Sequence, residues 1–181
     1  MSAATDLFGT ALGFIWRPEN DGQGFHDDPS DPGGATSWGV TFATWSGWAR
    51  LHGLRAVTLD AFKSLGQPDF SPLYQAWFWN ACCCGDLPAG VGLSVFDTGV
   101  GSAPAHAVRF LQSVLGVAQD GLIGPATLAA AVRTPPRRII DALCVQRETF
   151  YASLPMFRIY GNGWDRRAED CRHLALGLAA P

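Results

Sequence analysis

The chain has 181 residues, 48% of them hydrophobic and only 16% charged, which is enough apolar material for one compact domain or two small lobes sharing a core and excludes a disordered polymer. The formal net charge of −3 provides no clustered basic excess of the kind that marks nucleic-acid-binding surfaces. It gives no general attraction to an anionic membrane or wall either, so recognition of an acidic polymer must come from local geometry.

In chain order, Asp6 to Trp16 places Phe8, Ala11, Leu12 and Ile15 at helical spacing, and Pro18 closes that helix. ENDGQGFHDDPSDPGGATSWGVT follows, from Glu19 to Thr41. Its Asp-Pro and Gly-Gly pairs predict several turns, with a short strand from Ser37 to Thr41 and at most a small hairpin near the acidic stretch. Thr41 is expected to cap a helix carrying Phe42, Trp45 and Ala49 that ends near Gly53. Thr58 caps a short helix with Leu59, Phe62 and Leu65, and Ser71-Pro72 reads as the start of the next.

Gly85 to Gly90 is a break, and the lobe boundary is placed there, dividing residues 1–86 from 87–181. Beyond it, Val91, Val95 and Phe96 predict a buried helix. Pro104 opens a helix that Gly116 stops, Pro125 opens an Ala-rich one, and Thr134-Pro135-Pro136 leads into a long one. A last helix is expected from Trp164 to Leu176. Sustained period-two alternation is absent, so the predicted fold class is mostly α.

The five Cys are odd in number, Cys82, Cys83 and Cys84 are contiguous, and the paired C-x-x-C spacing of a zinc site is missing. They read as buried free thiols, which suit a reducing compartment. The acid-rich stretch is the candidate chemistry. Glu19 leaves a helix at the C-terminal end of its dipole with Trp16 nearby, and both effects favour a neutral, proton-donating acid. Asp31 lies in a polar turn and is expected to stay ionised, and the Thr36 hydroxyl follows. An acid, a base and a water-orienting hydroxyl are what glycosidic hydrolysis needs.

On spacing alone the plainer reading leads: Glu19 as a helix-end carboxylate beside Arg17, Asp31 as an Asx-turn residue before Pro32, Thr36 as a strand or cap residue. Asp21, Asp27, Asp28 and Asp31 are also oxygen donors, but they miss the EF-hand pattern, and no metal or other cofactor is assigned.

DPSDPGGATSWGVT, Asp28 to Thr41, resembles the signature of glycoside hydrolase family 108, the N-acetylmuramidases of phage and prophage lysins. GDLPAGVGLSVFDTGVGSAPAHAVRFLQSVLGVAQDGLIGPATLAA and FYASLPMFRIYGNGWDRRAED are similar to the peptidoglycan-binding module fused to that family. The resemblance implies a lysozyme-like, two-lobed helical fold. It also implies hydrolysis of the β-1,4 bond between N-acetylmuramic acid and N-acetylglucosamine. The catalytic Glu falls on Glu19, with Asp31 and Thr36 matching the remaining positions. The family reads E-G-G after the helix, whereas this chain reads Glu19-Asn20-Asp21-Gly22-Gln23-Gly24, so Asp28 and Asp21 stand beside Asp31 as candidates for the second carboxylate.

Among the aromatic residues, Phe25 and Trp38 lie in the acid-rich region and are candidate sugar-stacking platforms, with Tyr151 a weaker one. Trp45, Trp77 and Trp164 are expected in packing, and His26 as an exposed loop residue. Asp120-Gly121 reads as a turn between helices. The expected partner is the peptidoglycan glycan strand, with no nucleic acid and no stable membrane insertion. The N-terminal stretch has no basic region before its apolar part, so the expectation is cytoplasmic synthesis, export through a holin-type partner or secretion machinery, and action in the periplasm or cell wall. The competing reading is a peptidoglycan-binding module without activity.

Overall fold

The computed structural model describes residues 6–17, 24–27, 34–54 and 57–179. Among them lie nine α-helices and a single two-stranded sheet, so the fold is mostly α with a small hairpin. Packing divides the chain into two units, Leu12–Gln75 and the remainder.

The first helix α1 (Leu7–Ile15) begins in the larger unit and runs into Leu12–Gln75, with Ala11, Leu12, Phe14 and Ile15 all buried. Its start is set by Asp6, whose side chain accepts from the Gly9 amide at 2.9 Å. Strands β1 (Thr36–Ser37) and β2 (Val40–Thr41) pair antiparallel, Thr36 opposite Thr41 and Ser37 opposite Val40. Thr41 then caps α2 (Phe42–Leu51), accepting from the Thr44 amide at 3.1 Å, and Thr58 caps α3 (Leu59–Lys63) in the same way. Helix α4 (Gln67–Tyr74) begins before Ser71-Pro72. Pro68 supplies the fixed φ of a first turn, and the Asp69 carboxylate accepts from the Gly66 amide at 2.8 Å, so the helix already has its start and carries Pro72 in its interior. The core is aromatic: Phe70 meets Trp45 and Phe62 edge to face at 5.1 and 5.8 Å.

In the larger unit, a π-helical segment Gln75–Asn80 and a 3-10 turn Cys84–Asp86 lead to α5 (Val91–Ser102). Every residue of α5 from Val91 to Gly99 is buried, because α6 (Pro104–Leu115), α8 (Pro136–Ala152) and α9 (Phe157–Leu178) all pack on it. Gly90, at φ +83°, is required at its start, since a Cβ there would strike the Ala175 carbonyl. Each of its large apolar side chains, Phe96 among them, contributes roughly 1.5–3 kcal/mol by burial. Asp97 accepts from Arg147 of α8 and from Arg167 of α9, so one carboxylate ties three helices. Between α6 and α7 (Pro125–Arg133), the buried Gln112 donates to Asp120 and Leu122 and accepts from the Gly121 amide, which makes the Asp120-Gly121 segment the structural turn that the sequence suggests.

Helix α9 starts well before Trp164. The ring of Phe157 lies over Gly161, where an added Cβ would come within 2.7–2.9 Å of it, so that glycine is a packing position inside the helix and not a break. The five cysteines are free thiols, four of them buried.

Candidate active site

Glu19, Asp21, Asp28 and Asp31 lie outside the described residues. The described residues that flank them in sequence form a frame. Trp16 and Arg17 continue α1 by a turn, the Trp16 amide donating to Leu12 and the Arg17 amide to Phe14, and the Arg17 guanidinium stands 4.9 Å above the Phe14 ring. His26 and Thr36 exchange both backbone hydrogen bonds at 2.9 Å, an isolated antiparallel bridge.

The hairpin turns at Trp38-Gly39, with φ of +51° and +77°. Two left-handed residues in succession are what a two-residue turn of this hand needs, and a tryptophan in the first of them is a strained choice. The Tyr74 hydroxyl donates to the Trp38 carbonyl at 2.9 Å, and Tyr74 is itself held edge-on by Trp16 at 5.8 Å. The buried Tyr74, braced by the half-buried Trp16, thereby fixes the turn.

Period-two geometry then sorts the side chains. Ser37 and Val40 point inward and are buried, while Thr36 and Thr41 sit on the other, half-buried face. The Thr36 hydroxyl donates to the Gly34 carbonyl at 2.9 Å. Its single proton is therefore committed, and its lone pairs remain as acceptors. Thr41 does a different job, because its oxygen is used as the helix cap. The closing Thr-x-x-Gly-Val-Thr of the motif is thus partly architectural: a turn, an inward hydrophobe and a cap.

Phe25 is half-buried, edge-on to Phe62 at 6.3 Å with the Lys63 ammonium 5.3 Å from its ring centre, and Trp38 is half-buried as well. His26 is exposed, as expected of a loop residue. Tyr151 requires a correction. It is only 5% exposed in the larger unit, its hydroxyl accepts from Arg147 Nε at 2.6 Å, and its ring packs 5.3 Å from that of Trp164, so it has no open face for a sugar. Trp45 is buried as expected, Trp77 only half-buried, and Trp164 joins the packed cluster with Tyr151 and Phe157.

Two polar atoms beside this frame were not legible in the sequence. Ser37 Oγ and Trp16 Nε1 are buried without a hydrogen-bond partner among the described residues. The strand alternation would have placed Ser37 inward, but no pattern marks its hydroxyl as unmatched.

The family model described as Glycosyl hydrolase 108 matches residues 17–102, which contain the hairpin and the acid-rich segment. The model described as Predicted Peptidoglycan domain matches residues 106–169. Among solved structures, that of Brucella abortus SagA is similar at 38% identity, covering 98% of each chain with a TM-score of 0.84. Among curated proteins, none matches.

Proposed function

The chain belongs to the glycosyl hydrolase 108 family, with a peptidoglycan domain following the hydrolase region, and from that premise we propose that it is an N-acetylmuramidase cleaving the β-1,4 bond between N-acetylmuramic acid and N-acetylglucosamine. A glycosidase acting on peptidoglycan is the family-level activity.

Glu19 is the general acid that protonates the leaving glycosidic oxygen, and Asp31 is the base that activates water, with Asp28 and Asp21 as the other carboxylates of the same segment. Thr36 orients that water. The observation that supports this most is the Thr36 hydroxyl. Its proton is spent on Gly34, so it can only accept from a water. A water that donates one proton to Thr36 and the other to a carboxylate directs its own lone pair along a defined line, which is the positioning an in-line attack at the anomeric carbon needs. Phe25 and Trp38 are proposed sugar platforms. Residues 1–86 are proposed as the catalytic lobe and 87–181 as the module that engages the wall, in an endolysin-type, bacteriolytic enzyme reaching its substrate through a holin or secretion machinery.

The test is release of soluble material from purified sacculi. Glu19→Gln is expected to lower the rate by about 10²–10⁴-fold, the usual contribution of a positioned acid. Thr36→Val is expected to cost about tenfold, one hydrogen bond at roughly 1.4 kcal/mol. Undiminished release by Glu19→Gln would sink the assignment, and binding without release by the wild type would leave a wall-binding module in place of an enzyme.

A further inference from the structure

The larger unit holds a second convergence of ligating atoms. Cys144 and Glu148 stand one turn apart on α8, and Glu169 faces them from α9. The Cys144 sulfur is 3.7 Å from Glu148 Oε1 and 3.8 Å from Glu169 Oε2, and the ligating atoms of all three lie within 4.8 Å of one another. One thiol carries one proton, so it can satisfy only one of these carboxylates at a time. The remaining contact sets electron-rich atoms against each other in a half-buried place. Burial, followed by the Glu148 and Glu169 charges, pushes the thiol up to about 12; Arg147, held by Asp97 and Tyr151, pulls the other way without offsetting them.

Arg172 does not fill that role. It reaches Glu169 through Oε1, at 2.9 Å, and is itself held by Asp141 at 2.7 Å. His173 Nε2 also approaches Oε1, at 3.1 Å. One oxygen of Glu169 is thus anchored by a chain of partners, while the other is aimed at the thiol. Outer-shell hydrogen bonding of this kind is how ligating carboxylates are oriented in metal sites.

We infer that Cys144, Glu148 and Glu169 form a binding site for a divalent cation of the zinc class, with solvent in the fourth position. The spacing suits such an ion: zinc–sulfur and zinc–oxygen bonds of about 2.3 and 2.0–2.2 Å at a tetrahedral angle put sulfur and oxygen about 3.5 Å apart. A thiolate with two carboxylates is a donor set for a borderline ion and not for magnesium or calcium, which take oxygen. Binding displaces the thiol proton to solvent and joins α8 to α9 through three bonds. Cys144 is buried while both carboxylates are half-exposed, so the ion and its water have a route in.

The experiment is titration of the reduced full-length protein with cobalt(II), a spectroscopic stand-in for zinc. The expected result is one equivalent bound, with a thiolate-to-cobalt charge-transfer band in the near ultraviolet that zinc then bleaches. The band is lost in Cys144→Ser, and affinity falls at least tenfold in Glu148→Gln and Glu169→Gln. Circular dichroism checks that each variant is folded, and Glu148→Gln, at a half-exposed position, tests the site without disturbing the core. Zinc also raises the melting temperature of the wild type and not that of Glu148→Gln. No thiolate band in the wild type, a band that survives Cys144→Ser and so belongs to the other cysteines, or full affinity in Glu148→Gln overturns the site.

Discussion

Asp97 is fully buried on α5 and faces two guanidiniums, Arg147 and Arg167, the first of which also donates to Tyr151. Burial alone would push this carboxyl up, but the two guanidiniums outweigh it and hold it below the ordinary carboxylate value. The stabilisation that follows is therefore complete above the unfolded value of about 3.9 and is lost as the pH falls through the lower folded one. Thermal melts are expected to be level near neutrality and to drop steeply only in acid below about pH 4. Asp97→Asn removes the carboxylate that faces the buried Arg147 and is expected to cost about 3–5 kcal/mol in denaturant unfolding and to flatten that acid slope. Loss of less than about 1 kcal/mol would mean that the arginines find other partners. None of this was readable beforehand. The partners stand 50 and 70 residues from Asp97, and an aspartate in VFDTG carries no local sign of a distant arginine. The same holds for Tyr151, since a tyrosine on a helix looks alike in sequence whether its hydroxyl meets a sugar or a buried arginine.

At the scale of elements, the sequence was most legible where a single side chain decides a boundary. Thr41, Thr58, Pro104, Gly116, Pro125 and Pro136 each mark a helix end through local chemistry, a cap oxygen, a fixed φ or a left-handed stop, and the structure has all of them in place. It was least legible where a residue's local preference yields to packing. Gly161 sits inside α9 because Phe157 occupies its missing side chain, and Pro72 sits inside α4 because Pro68 had already opened the helix. The hairpin before α2 combines both kinds of signal. Thr41→Ala removes the acceptor for the Thr44 amide and is expected to destabilise the chain by about 1 kcal/mol, measured by equilibrium unfolding. Because that cap adjoins the strand pair carrying Thr36, the same variant is expected to lower wall-degrading activity beyond what its stability loss explains. Full activity at temperatures well below its melt would separate the cap from the site.

At the scale of the molecule, a glycosyl hydrolase region and a peptidoglycan domain follow one another on a chain with no general charge attraction to its polymer. No helix among the described residues is long and apolar enough to cross a membrane. The family was legible because its signature is contiguous: turn residues, strand residues and a cap come in one run from Asp28 to Thr41. The relation of Glu19 to Asp31 was not, because the spacing of two acids across a glycine-rich segment depends on backbone angles that glycine leaves open, and both lie outside the described residues. The central claim is therefore best tested through the product. Peptidoglycan digested by the protein and by Glu19→Gln should be analysed by mass spectrometry for the new chain ends. The expected products are muropeptides ending in reducing N-acetylmuramic acid, abundant with the wild type and nearly absent with the variant. Fragments ending in reducing N-acetylglucosamine, in anhydro-muramic acid or in freed stem peptides would contradict it, because each reports a different bond or a different fate of the anomeric carbon.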